Sequence, residues 1–186
     1  MKKFFYFAVL LLGVVACNND DESSILLNDT NITIVREGLV SQFGSFDPQT
    51  APTLFAGTGK KWEICYDATC DEEGNIAIAY LQYYWTPIDM APGFSWSLLD
   101  VYFMAEDDPE KNWTYDPGNR TITVSYPNEY NKEYRYKIEA LSEDLLLCIF
   151  SYEVYVEKIG GYETQYRQQI YVTDRKAHLA SIGVTY

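Results

Sequence analysis

Between Glu133 and Glu139 the chain alternates without interruption. Tyr134, Tyr136 and Ile138 fall on one face of an extended segment, and Glu133, Arg135, Lys137 and Glu139 on the other. Successive side chains of a strand point to opposite faces, so this is a strand with one dry side and one wet side. A helix would carry the charges round into the apolar positions. A strand buried on both faces would not hold a charge at every second residue.

The same period recurs along the chain. Ile122, Val124 and Tyr126 oppose Thr121, Thr123 and Ser125. Leu145 to Glu157 reads as a strand, and so does Tyr162 to Thr173, with Glu163, Gln165, Arg167 and Gln169 expected outward. Upstream, Trp62–Asp67, Ile76–Trp85, Phe94–Ala105 and Asn112–Tyr115 are extended, and Asn31–Val35 and Leu179–Thr185 are short candidate strands. Turn chemistry separates them: Asp71-Glu72-Glu73-Gly74-Asn75, Asp116-Pro117-Gly118-Asn119, Leu141-Ser142-Glu143-Asp144 and Gly160-Gly161. No stretch of ten residues keeps a helical period, so low helix content is expected. Sequential antiparallel strands with tight turns predict an all-β, up-and-down β-barrel, which removes the exposed edges of an open sheet; a β-sandwich is the competing architecture. Ile76–Trp85 and Phe94–Ala105 are apolar on both faces. That predicts a cover over this part of the wall, supplied by residues 31–56 or by a partner.

The amino terminus carries a different signal. Lys2 and Lys3 precede an apolar run from Phe4 to Val15, too short to span a membrane and suited to a signal peptide. Val14-Val15-Ala16-Cys17 resembles the bacterial lipobox. The resemblance implies cleavage between Ala16 and Cys17, with diacylglycerol on the Cys17 sulfur and an acyl chain, typically palmitate, on its amine. Several buried chains anchor a protein where one does not. Asn18-Asn19-Asp20-Asp21-Glu22 resembles the acidic export tag of Bacteroidetes surface lipoproteins. The expected location is therefore the outer membrane, lipid-anchored and exposed at the cell surface. The expected organisation is a signal peptide at 1–16, the lipidated Cys and an acidic tether at 17–30, an N-terminal extension packing on the barrel at 31–56, and the barrel domain at 57–186.

A formal charge of −13 makes nucleic acid and anionic lipid surfaces poor partners. With Cys17 lipidated, Cys65, Cys70 and Cys148 remain. Export permits disulfides. Cys65 and Cys70, read as a strand end and the following turn, form the candidate pair, and Cys148 reads as a buried small hydrophobe facing inward.

Leu54-Phe55-Ala56-Gly57-Thr58-Gly59-Lys60-Lys61-Trp62 resembles the Leu-x-x-Gly-x-Gly-Lys-x-Trp stretch that opens the barrel of Bacteroidetes lipocalin-like lipoproteins. Tyr136 to Leu145 resembles their Tyr-x-Ile-x-x-Leu-Ser hairpin. The resemblance covers roughly 54–173 and implies about eight strands and an apolar or amphipathic ligand cavity. Two residues separate Gly59 from Trp62 where the usual lipocalin pattern, Gly-x-Trp, has one, and little chain follows the last strand for the usual carboxy-terminal helix.

Catalytic and metal signatures are weak. Gly57-Thr58-Gly59-Lys60 lacks both the first Gly and the final Ser or Thr of a phosphate loop and reads as a turn leading into a strand. Glu106, Asp107, Asp108 and Glu110 lack the spacing of a calcium loop. His178, the sole histidine, reads as a surface residue. No enzyme, metal or cofactor is expected. The abundant site chemistry is aromatic: 17 Tyr, 9 Phe and 4 Trp. Trp62, Tyr80, Trp96, Tyr102, Tyr136 and Phe150 are the candidate ligand-pocket residues, because such rings give a greasy cavity with a few orienting groups. The expected function is non-covalent binding of a small apolar or amphipathic molecule. The alternative is a structural or interaction subunit of a surface complex, with a fixed protein partner. A glycan-handling enzyme ranks last.

Overall fold

The structure, a computed structural model, describes residues 29–76, 100–126 and 132–181. Seven strands occur among them: β1 (Lys60–Cys70), β2 (Val101–Phe103), β3 (Trp113–Asp116), β4 (Thr121–Tyr126), β5 (Lys132–Leu141), β6 (Leu145–Val156) and β7 (Gly161–Val172). Three helices flank them: α1 (Asp29–Phe43), α2 (Ala51–Phe55) and α3 (Arg175–Ser181). The spatial order is β2-β1-β7-β6-β5-β4-β3, with every described pair antiparallel. From β3 to β7 each strand lies beside its sequence neighbour, and β7 returns to pair with β1. The result is a nearly closed up-and-down barrel, with β2 and β3 as the two ends of the sheet.

Local chemistry sets the turns. Asp116 Oδ1 accepts from the Gly118 amide at 2.8 Å and Asn119 Nδ2 donates to its other oxygen at 2.6 Å, closing the β3–β4 hairpin. Asp71 Oδ1 does the same for the amides of Glu73 at 3.0 Å and Asn75 at 2.7 Å. Gly57 and Gly59, at φ 53° and 98°, take the left-handed conformations that turn the chain from α2 into β1. The Gly57–Lys60 segment is thus the expected turn into a strand.

Two bulges decide which residues face inward. In β1, Ile64 pairs with Tyr171 and Tyr66 with Ile170, which leaves Cys65 as the extra residue. In β5, Ile138 pairs with Cys148 and Ala140 with Leu147, leaving Glu139 extra. Apolar residues consequently form two separate cores. One fills the barrel: Trp62, Ile64, Phe103, Trp113, Ile122, Val124, Tyr136, Ile138, Leu146, Cys148 and Tyr171, closed by Phe55. The other lies on the outer wall, where Cys65, Tyr66, Ala68, Ala140, Leu147 and Ile170 pack beneath Val35 and Leu39 of α1.

Helix α1 corrects the expectation of a short strand at Asn31–Val35. Its β-branched run Ile32-Thr33-Ile34-Val35 favours a strand locally. Val35 and Leu39, one turn apart and at most 2% exposed, commit it to a helix by burial on the barrel wall. The wall it covers belongs to β1, β5, β6 and β7. Within the two strands that were expected to need cover, residues 77–99 lie outside the described set, so that expectation is not addressed by this contact.

The carboxy-terminal segment is also helical where a strand from Leu179 was expected. Asp174 caps α3 through its side chain, accepting from the Ala177 amide at 2.8 Å. Arg175 pins the helix to the barrel, donating to Ile64 O at 3.0 Å and Asp100 Oδ1 at 2.9 Å. His178 is therefore not a surface residue. It is 4% exposed against the barrel base, and desolvation lowers its pKa to about 4.

The candidate Cys65–Cys70 bridge is absent: Cys65, Cys70 and Cys148 are all free and buried. β1 runs on through Cys70, so the two sulfurs sit in one extended strand. Five residues at about 3.3 Å each separate their Cα atoms far beyond disulfide reach, even allowing for the bulge. Burial raises the pKa of both thiols to about 12.

Candidate ligand site in the upper barrel

The two ends of the barrel differ. At the base, α2 folds under the strands and inserts Phe55 between the sheet ends. Its ring meets Phe103 of β2 at 5.3 Å and Trp113 and Tyr115 of β3 at 5.0 and 5.5 Å, all edge-on. The free carbonyls at the end of α2 are then capped from β1: Trp62 Nε1 donates to Phe55 O at 2.7 Å and Lys60 Nζ to Leu54 O at 2.9 Å. Trp113 Nε1 donates to Met104 O at 2.9 Å, linking β3 to the end of β2. These contacts fill the barrel floor, and below them a cavity of about 350 Å³ lies between α1, α2, α3 and the β5–β6 turn, lined by Phe43, Phe46, Leu54, Leu141, Leu145 and His178 among others.

Moving up the interior, Phe103 meets Tyr136 at 5.7 Å, and Tyr136 meets Phe150 at 5.0 Å and Tyr171 at 6.4 Å. Above them Phe150 stacks against Tyr134, at 5.5 Å and 25°, and meets Tyr152 at 5.3 Å. Burial falls along this ladder, from 0% exposed at Trp62 and 5% at Tyr136 to half-buried at Tyr134, Phe150 and Tyr152. These last rings are on the inward face yet reach solvent, which marks the open end.

Beside these rings, on β1 and β7, stands a polar cluster. Asp67 of β1 accepts from Arg167 Nε at 2.7 Å on one carboxylate oxygen and from Arg167 NH2 on the other. Gln169 Nε2 adds a bond to Asp67 Oδ1 at 3.1 Å, and the Tyr171 hydroxyl donates to Gln169 Oε1 at 2.8 Å. All four side chains share the inward face with Cys148 and Phe150, by the register that pairs Gln169 with Cys148 and Arg167 with Phe150. Asp67 is 3% exposed, which is tolerable for a carboxylate only because the two-pronged guanidinium and the amide answer it. Burial drives the Tyr171 hydroxyl well above its ordinary pKa, so it remains a donor.

Of the residues expected to line a pocket, Trp62 forms the floor, Tyr136 the middle and Phe150 the upper wall. Tyr102 does not belong: it is 54% exposed on the outside of β2, where its hydroxyl crowds Gly59. Tyr80 and Trp96, and the Ala16–Cys17 cleavage and lipidation site, lie outside the described residues. The expectation that Arg167 and Gln169 point outward is overturned. Polar character on alternate residues suggested solvent, but the β1 bulge turns Asp67 into the lumen to meet them. Sequence reasoning missed this cluster because nothing local marks the bulge at Cys65.

Among the described residues no group of three His, Cys, Asp or Glu is arranged to hold a metal ion, and no helix is long and apolar enough to cross a membrane. Compared with known proteins, the chain matches no family model, no curated protein and no solved structure.

Proposed function

We propose that this is a lipid-anchored, lipocalin-like binding protein of the outer membrane that holds a small apolar or amphipathic molecule in its upper barrel. The observation that carries the reading is the asymmetry of the lumen. One end is plugged by Phe55 and Trp113, and the other presents solvent-reaching rings on its inward face with polar groups on the adjoining strands. Sites of this kind combine apolar walls with a few placed polar groups. The anchor rests on Val14-Val15-Ala16-Cys17, and surface display on the acidic residues after it. No chemistry beyond non-covalent binding is assigned to the site.

Native mass spectrometry of the protein purified from its host tests this reading, with Phe150→Ala as the control. A bound small molecule lost in the variant is the expected result; an unliganded wild-type protein overturns it. Metabolic labelling with a palmitate analogue, abolished by Cys17→Ala, tests the anchor.

A second reading, an interaction subunit of a surface complex, draws on the β6–β7 ribbon. Beyond the Tyr134–Tyr152 and Cys70–Tyr166 pairs, β6 and β7 have no further described partner strand. The ribbon presents Tyr155, Ile159 and Tyr162 at 54%, 57% and 69% exposure. Pull-down of a fixed protein partner that Ile159→Asp releases is the result that would favour it.

A further inference from the structure

We propose that the cavity beneath the barrel floor is a second binding site, taking one small uncharged ring compound that packs between Phe43, Phe46 and Leu54 and sets a hydroxyl or amide group against His178. It lies at the other end of the barrel from the solvent-reaching rings and stands independently of the binding reading above.

The space arises where the two cores fail to meet. Phe43 packs on the outer-wall core, whereas Phe46 and Leu54 pack on the barrel core. About 350 Å³ remains between them. At water's share of about 30 Å³ of liquid volume, that is room for roughly a dozen non-hydrogen atoms. Ligand pockets begin at about this size. A turn of partner helix, about 10 Å across with its side chains, is larger.

Exposure is graded across the cavity. Leu141, Leu145, Val172 and His178 are buried and form its floor. Phe43, Phe46 and Leu54 are half-buried and form its walls, and Ser45, Glu143 and Asp144 stand exposed at the rim. Three large apolar side chains thus line one space while still reaching solvent. A ligand seated there takes their surface out of water.

The floor sets the chemical class. Among the described residues its one polar side chain is His178, which burial keeps uncharged by lowering its pKa to about 4. A neutral imidazole has one donor and one acceptor nitrogen, and so orients a hydroxyl or an amide. A charged head would be buried against Leu141, Leu145 and Val172, with no countercharge among the described floor residues. Charges of both signs surround the cavity outside the floor. Glu143 and Asp144 are on the rim, Lys60 Nζ donates to the carbonyls of Leu54 and Glu143, and the Arg120 guanidinium lies over the Phe46 ring at 4.8 Å. Lys60 thereby ties α2 to the β5–β6 turn. Arg120, which also donates to Gly44 O at 3.0 Å, holds the loop after α1. The walls are fixed before any ligand arrives.

His178 is the sole histidine, so its imidazole proton resonances are a single reporter placed at this cavity. The test is a titration of the folded protein, purified without a histidine tag, with 1-naphthol at pH 7, followed by those resonances. A saturable shift is expected. Ser45→Trp, which sets an indole over the rim, is expected to weaken the affinity tenfold or more. Leu54→Trp, which fills the space from its wall, is expected to do the same and serves if the first variant does not fold. Phe150→Ala, which strips the upper lumen, is expected to leave this affinity within twofold. 1-Naphthoate, the same ring with a charged head, is expected to bind at least tenfold more weakly. Absence of a His178 shift up to the solubility limit of 1-naphthol overturns the site. A shift that Phe150→Ala abolishes overturns it too, and assigns the probe to the upper lumen. Equal or tighter binding of 1-naphthoate overturns the uncharged class.

Discussion

Arg36 of α1 clasps Glu139, the extra residue of the β5 bulge. Its Nε donates to Glu139 Oε2 at 2.9 Å and its NH2 to Oε1, while the same guanidinium reaches the carbonyls of Glu73 and Gly74. One side chain therefore ties the helix, the β5 bulge and the turn after β1 together. The bulge is what turns Glu139 outward to be held, and the helix is what shields the pair from solvent.

Removing this clasp should loosen α1. Arg36→Ala is expected to destabilise the protein by about 2 kcal/mol, in the range of hydrogen bonds to charged partners. Glu139→Gln should cost less, since the amide retains one acceptor. Chemical denaturation of the two variants checks the ranking; equal, negligible effects would show the clasp to be ornamental.

Neutral His178 gives the fold an acid sensitivity of defined sign. Unfolded, the imidazole titrates near 6.5; folded, near 4. Between these values the unfolded chain binds the extra proton, so stability falls as pH drops from 6.5 towards 4, by up to about 3 kcal/mol, and this contribution levels off below. Above pH 6.5 the residue contributes no pH dependence. His178→Gln should flatten this part of the stability profile, leaving the loss due to carboxylates. Melting curves from pH 7.5 to 4 on both proteins measure the difference.

The three described thiols should be silent in the native state. Cys65 and Cys70 are buried with pKa values near 12, and Cys148 is raised well above its ordinary value by the same desolvation. Protein lacking Cys17 should fail to react with Ellman's reagent at pH 8 until denatured, and then show Cys65, Cys70 and Cys148 together without added reductant. Only one free thiol after denaturation would mean a disulfide forms after all.

Gly59 tests the turn beneath the barrel. At φ 98° an Ala is strained, and its Cβ would collide with the Tyr102 hydroxyl. Gly59→Ala should cost about 2 kcal/mol. Pairing it with Tyr102→Phe should recover the steric part and leave the backbone part. The double-mutant cycle separates the two.

The strands from Thr121 onward could be read from alternation, because each has neighbours close in sequence and turns marked by Asp, Pro or Gly. Cys148 was readable as an inward residue for the same reason. What escaped depended on distant contacts. α1 is helical only because Val35 and Leu39 find the barrel wall, against the preference of Ile32 to Val35. His178 is buried only because Arg175 docks α3 on β1. The ion pair of the lumen required a displaced residue in β1, and a single sequence gives no sign of where strict alternation stops. The aromatic ladder was half legible: Tyr136 and Phe150 sit on clean inward positions, whereas Tyr102 lies in a strand of three residues whose facing could not be counted.

The bulge at Cys65 has a consequence for length variation. Cys65 has no partner on β7, so a chain from which it alone is deleted would regain regular pairing, with Ile64 and Tyr66 still opposite Tyr171 and Ile170 and Asp67 still inside. Deleting Ala68, three residues on, would instead reverse Thr69 and Cys70, sending a thiol into the lumen. Within one strand, then, a missing residue is absorbed at one position and inverts the wall at another.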